Sequence, residues 1–233
     1  MEAPGHEIER SVTDDGRSRQ ERRAIGRGAA DLGVHLSPPQ VERLQAYLAQ
    51  LDVWNSILRL VGTRDRSQLI THHVVDSLAA APLLLSRSRL VDIGSGAGLP
   101  GIPLAIARPD TSVTLVESRS RPVSFLVDVV RQLDLRNVRV IEERIEVLAS
   151  GEAGDHERFD AAITRAWDRL DAFLGISSPL LQHGGIAIAM KGPRAEDELE
   201  HLGDAADAFG AVRKIPYRIE GAKARVLLVF ERL

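Results

Sequence analysis

The chain has 233 residues, 44% hydrophobic and 27% charged, which allows one sizeable core with a smaller subdomain or tail. No apolar run approaches the ~20 residues that span a bilayer, and the polar N-terminus lacks the apolar stretch of a signal peptide, so a soluble cytoplasmic protein is expected. Cysteine is absent, which excludes disulfides, thiolate metal sites and a cysteine nucleophile; the net charge of −3 does not mark the whole molecule as a nucleic-acid binder.

Residues 1–30 alternate acids and arginines, with Ile8 and Ile25 almost alone as large apolar residues, and are expected to form a flexible extension. Ser37-Pro38-Pro39 reads as a helix start. Val41, Leu44, Leu48 and Leu51 follow at helical spacing, and Trp54, Ile57, Leu58 and Val61 suggest a second helix. After a break at Gly62-Thr63-Arg64-Asp65, a third helix carries Leu69, Ile70, His73, Val74, Ser77 and Leu78. Residues 31–85 are therefore expected to form a helical cap.

From residue 86 the pattern becomes alternating. Strands are expected at Leu90–Ile93, Ser112–Val116, Val138–Ile141, Phe159–Ile163 and Ile186–Met190, with helices at Pro100–Ala107, Val123–Leu133, Asp168–Ser178 and Ala195–Phe209. The C-terminus reads as two strands turning at Glu220-Gly221. This order predicts an α/β domain over 86–233: a Rossmann-like, doubly wound, mostly parallel sheet with an antiparallel C-terminal edge strand.

In such a sheet the loop after the first strand lies at the ligand-binding end. Here it reads Asp92-Ile93-Gly94-Ser95-Gly96-Ala97-Gly98-Leu99-Pro100-Gly101. Gly96, Gly98 and Gly101 fit the dinucleotide spacing, whereas Asp92 with Gly94, Gly96 and Gly98 resembles the first motif of S-adenosylmethionine-dependent methyltransferases. Glu117, ending the second strand, suits ribose hydroxyls in either case. A carboxylate at Asp92 would repel a pyrophosphate and attract a cationic sulfonium, which favours the methyl donor.

Absences narrow the acceptor. Without cysteine there is no thiolate for pyrimidine C5 methylation. No Pro-Pro-aromatic motif follows the fourth strand, where Ile163-Thr164-Arg165-Ala166-Trp167 stands, and no lysine precedes Lys191 to build a Lys-Asp-Lys-Glu set for ribose methylation. A ring nitrogen, a small molecule or a protein group remains. A ring nitrogen such as guanine N7 needs no general base, only alignment in a dry site. Arg165 and Lys191, at strand ends facing the loop, are the candidate catalytic residues.

The run from Val91 to Ala105, with its Leu-Pro-Gly-Ile-Pro continuation, resembles the RsmG (GidB) family of 16S ribosomal RNA guanine-N7 methyltransferases. Trp54-Asn55, His73–Leu78, Arg144-Ile145-Glu146, Thr164-Arg165-Ala166 and Lys191-Gly192 match in family order. The resemblance implies S-adenosylmethionine contacts at Gly94, Leu99, Ile145, Glu146 and Arg165, and a substrate guanine in 16S ribosomal RNA or the small ribosomal subunit. Loss of such enzymes is associated with low-level streptomycin resistance. Leu58–Thr63 departs from the family's usual continuation after Trp-Asn. Two other functions stay open on the residues alone: methylation of a small molecule or protein, and a non-catalytic RNA- or ribosome-binding module.

No metal is expected, His72 and His73 lacking partners at ligand spacing, nor a membrane contact; a monomer is expected. Asp76 and Ser77 read as structural, pairing with loop backbone. Trp54 reads as packing and Trp167 as either packing or base stacking. Arg119, Arg121, Arg131, Arg136 and Arg139 could line a phosphate track or form a solvated face.

Overall fold

The computed structural model describes residues 5–151, 158–165, 167 and 169–233, with residues 5–15 described by backbone alone. Five strands, β1 (Arg89–Ile93), β2 (Ser112–Glu117), β3 (Val138–Glu142), β4 (Phe159–Thr164) and β5 (Leu181–Lys191), pair in parallel. β6 (Arg213–Tyr217) and β7 (Arg225–Glu231) complete one seven-stranded sheet in the order β3-β2-β1-β4-β5-β7-β6. β7 pairs antiparallel with β5 and with β6, so the C-terminal hairpin places its last strand inside the sheet and leaves β6 at the edge. The strand order reverses between β1 and β4, and both strands end at the same rim.

Both faces are covered, which is why the central strands read as continuous apolar runs. Side chains alternate along β1: Leu90 joins one apolar core and Val91 and Ile93 the other. The first core lies under α5 (Gly101–Ala107), α6 (Ser120–Gln132) and the N-terminal helices. The second lies under α7 (Ile145–Ser150) and α8 (Leu170–Leu180).

The N-terminal region departs from expectation. Residues 5–30, expected to be flexible, belong to helix α1 (Gly5–Asp31), and Ile25 and Ala29 are fully buried. Gly28 permits that docking, since a Cβ there would lie 2.8 Å from Val75 Cγ1. Residues 1–4 of that expected extension lie outside the described residues. The two helices expected between 38 and 61 are one, α2 (Pro38–Leu58), because burial of Val41, Leu44, Tyr47, Leu48, Leu51 and Asn55 continues in one helical phase. The third is a continuous helical segment over 66–78, made of α3 (Arg66–Gln68), a π-helical stretch (Leu69–Val75) and α4 (Asp76–Leu78).

The long helix expected at Ala195–Phe209 is only α9 (Ala195–Leu199), followed by a 3₁₀ turn at Gly203–Ala206. Gly203, at φ +52°, has left-handed backbone that a continuous helix cannot contain. Among the described residues, no helix is long and apolar enough to cross a membrane.

Candidate active site

The glycine loop occupies the rim where β1 ends. Gly94 and Ser95 N–H groups both donate to the Val116 carbonyl, at 3.0 and 3.1 Å, which folds the loop over β2. Gly96 N–H donates to Glu117 Oε2 at 2.9 Å, and the buried Tyr47 hydroxyl of the cap donates to the Ala97 carbonyl at 2.7 Å. The loop is thus held from the sheet on one side and from α2 on the other.

Its glycines do different work. A Cβ on Gly98 would lie 2.5 Å from Ile102 and 2.9 Å from Leu126; one on Gly101 would lie 2.3 Å from Leu115 and 2.6 Å from Asp92 Oδ2. Those two glycines serve packing. At Gly94 and Gly96, both at positive φ, the nearest atoms stand at 3.6 Å or beyond, so a Cβ at either would meet only ordinary contacts and these glycines serve the turn rather than close packing.

Gly94, Glu117, Ile145, Glu146 and Trp167 line a cleft of about 250 Å³. Four of the expected ligand positions, Gly94, Glu117, Ile145 and Glu146, line it, while Gly96 lines another cavity. Glu117 is buried, and its Oε1 accepts 3.0 Å bonds from Arg119 N–H and Nε–H. Burial acts to raise its pKa, but the bonds from Arg119 and Gly96 prevail and hold the carboxyl below its ordinary range. It enters the cleft as a carboxylate.

Asp92, Gly98 and Leu99 do not line this cleft. Asp92 is 1% exposed, is not among the residues lining the cleft, and its Oδ2 accepts from Gly101 N–H at 2.9 Å. It faces α5 because β1 alternates, and Asp92 shares a face with Leu90. Burial pushes its carboxyl up to about 7, and Oδ1 has no partner. Through its bond to Gly101, Asp92 ties strand to helix. Leu99 is buried in the first core, beneath the loop.

Arg165 and Lys191 come together in a neighbouring cavity of about 330 Å³, which also contains Asp76, Tyr217 and Arg225 and shares Trp167 with the cleft. Lys191 Nζ donates to the Trp167 carbonyl at 2.9 Å and to Glu198 at 2.6 Å. Arg165 donates to the carbonyls of His72 and His73 and pairs with Asp76 Oδ2 at 3.2 Å. The Tyr217 hydroxyl donates to Asp76 Oδ1 at 2.9 Å, and Arg225 Nε stands 3.5 Å from the same oxygen.

Asp76 thus joins cap, sheet rim and C-terminal hairpin, rather than pairing with loop backbone as expected. Its signal in the sequence was a lone acid between Val74, Val75 and Leu78; nothing marked Tyr217 or Arg225 as its partners. Ser77 caps back to the His73 carbonyl at 2.6 Å. Burial, with Arg165, His72 and Arg225 nearby, lowers the His73 imidazole to about 4, so it is neutral at physiological pH.

Trp54 packs edge-on against Phe125, with ring centroids 5.9 Å apart. Arg131 and Arg136 pair with Asp128 and Asp134. Among the described residues, no cluster of three or more His, Asp or Glu side chains is arranged to hold a metal ion.

The family described as rRNA small subunit methyltransferase G matches residues 40–223. A relative from Aromatoleum aromaticum, "Ribosomal RNA small subunit methyltransferase G", is 40% identical over 89% of this chain and 97% of its own length. One of the same name from Stenotrophomonas maltophilia is 43% identical over 76% of this chain and 80% of its own. Among solved structures, a predicted O-methyltransferase from Agrobacterium tumefaciens superposes with a TM-score of 0.56 at 22% identity, over 67% of this chain and 80% of that one. That last likeness is one of fold.

Proposed function

The chain belongs to the rRNA small subunit methyltransferase G family, and from that premise we propose that it moves a methyl group from S-adenosylmethionine to N7 of a guanine in 16S ribosomal RNA. The observation that carries the reading is that two cavities share Trp167: a cleft with bare glycine backbone and carboxylates stands beside one that holds Arg165 and Lys191.

The residues present fit the donor. Gly94 offers bare backbone in the cleft where a Cβ would stand 3.6 Å from Trp167, Glu117 offers a carboxylate to ribose hydroxyls, and Ile145 and Glu146 complete an edge for the adenine. Arg119 now occupies Glu117 and would yield to those hydroxyls. When bound, S-adenosylmethionine supplies a methyl carbon on a cationic sulfur.

Guanine N7 carries an in-plane lone pair and no proton, so the chain must align the base and exclude water rather than abstract a proton. Arg165 and Lys191 are the candidates for that task. Arg165, fixed by Asp76 and two cap carbonyls, is poised to hold O6, the acceptor next to N7, and leave the N7 lone pair free. Lys191 is held between Glu198 and the Trp167 carbonyl and steadies the tryptophan that divides the cavities. Trp167 offers a ring for the splayed base to stack on.

The test is incubation with methyl-labelled donor and small-subunit RNA, followed by digestion to nucleosides. Label in 7-methylguanosine is expected; label in any other nucleoside, or in protein alone, overturns the assignment.

A further inference from the structure

The glycine loop borders a third cavity, through Gly96, of about 540 Å³. Arg59, Arg119 and Arg121 line it, and none of the described residues lining it is acidic. Arg119 is committed to Glu117, whereas Arg59 and Arg121 are exposed. The cleft and the Trp167-flanked cavity both mix acids with bases, so this cavity is distinguished by a lining without acids.

Arg59 is held there in an unusual way. It is the C-cap of α2 at φ 51° and ψ 52°, left-handed backbone that costs a side-chain-bearing residue about 1 kcal/mol and that glycine adopts freely. The loop beyond it is pinned by the buried Asn55, whose Oδ1 accepts from Val61 N–H and whose Nδ2 donates to the Thr63 carbonyl, both at 2.9 Å. The backbone would be better served by glycine, and the side chain is exposed. What arginine adds at this position is charge on a fixed platform.

We propose that Arg59 and Arg121 bind backbone phosphates of the single-stranded RNA next to the target guanine. This rests on the reading of the chain as an RNA methyltransferase. In an A-form duplex N7 faces a deep, narrow groove that side chains cannot enter, so the guanine must be splayed out and its neighbours unpaired. Those neighbours carry phosphates past the rim of the donor site, and the arginine cavity lies on that rim.

The test compares Arg59→Gly, Arg121→Gln and the double variant with wild type. Binding to protein-free 16S ribosomal RNA and to intact small subunits is titrated at several salt concentrations, alongside donor calorimetry and thermal unfolding. Arg59→Gly is expected to melt at or above the wild-type temperature and to bind donor as wild type, yet to bind RNA several-fold more weakly. The double variant is expected to lower the slope of log affinity against log salt by about 1.4, at about 0.7 per phosphate of a single strand.

Wild-type affinity and slope in the double variant would overturn the proposal. So would a loss confined to intact subunits, which would assign the surface to a ribosomal protein, or a loss of RNA affinity in Arg59→Gly matched by lower melting. Methylation by the wild-type chain is scored separately, so a failed acceptor assignment is told apart from a failed phosphate site.

Discussion

The Asp76 carboxylate lies 3.2 Å from the Arg165 guanidinium, joining the helical cap to the end of β4 beside the candidate site. Asp76 is 2% exposed and faces Arg225 and Tyr217 as well. Asp76→Ala leaves two guanidinium groups facing each other without a counter-charge. Breaking one side of such a buried network costs about 3 kcal/mol, and Asp76→Asn, which keeps some hydrogen bonds, is expected to cost less. Equilibrium denaturation measures both; a wild-type midpoint for Asp76→Ala would show that the linkage carries no stability.

Arg165→Lys separates charge from shape. Lysine keeps the cation but cannot reproduce the planar fork that reaches the His72 and His73 carbonyls and Asp76 together. Transfer is expected to fall at least about tenfold, or about 1.4 kcal/mol in the barrier, while the protein stays folded. Full activity in Arg165→Lys would remove the alignment role.

Much of the sheet could be read in advance. Leu90–Ile93, Ser112–Val116 and Phe159–Ile163 are short apolar runs bounded by polar turns, and parallel strands covered on both faces demand such runs. The glycine loop was legible from spacing, and Glu117 from its place at the end of a strand. The side that Asp92 takes is not legible, because a motif names a residue but not the face of the strand it occupies. Helix α1 was missed because, among the described residues, its fully buried side chains are Ile25 and Ala29 beside the bare surface of Gly28, too little apolar character to stand out from the surrounding arginines. Asp76 with Tyr217 and Arg225 is a long-range meeting that no local pattern encodes.

The glycines give a paired test. Gly101→Ala drives a methyl group into Leu115 and the Asp92 carboxylate and is expected to destabilise the fold by about 2–3 kcal/mol. Gly94→Ala sets its methyl group 3.6 Å from Trp167 inside the cleft, at the cost of about 1 kcal/mol for positive φ. It is expected to fold and yet bind S-adenosylmethionine at least about tenfold more weakly, or about 1.4 kcal/mol. Melting curves and calorimetry separate the two; equal donor affinity in Gly94→Ala would place the donor elsewhere.

Asp92 gives a pH test. Its folded carboxyl titrates near 7 and its unfolded one near the ordinary 3.8, so between those values the folded chain binds more protons than the unfolded one. Stability from this group is therefore full below about 4 and is lost as pH rises toward 7. Asp92→Asn keeps an acceptor for Gly101 N–H without the charge. Its melting temperature relative to wild type is expected to rise between pH 5 and pH 8, by about 2–4 °C for each 1 kcal/mol. A difference that stays flat or falls with pH would show that the buried carboxyl is not the group that titrates.

Methylation at guanine N7 makes the ring cationic and its glycosidic bond labile after borohydride reduction, so aniline then cuts the strand at that nucleotide. The most direct measurement is this cleavage on 16S ribosomal RNA treated with wild-type protein and S-adenosylmethionine, with Arg165→Ala as control. One new cut at a single guanine, absent from the control, is the expected result. RNA that takes up the methyl label yet resists cleavage would contradict the account.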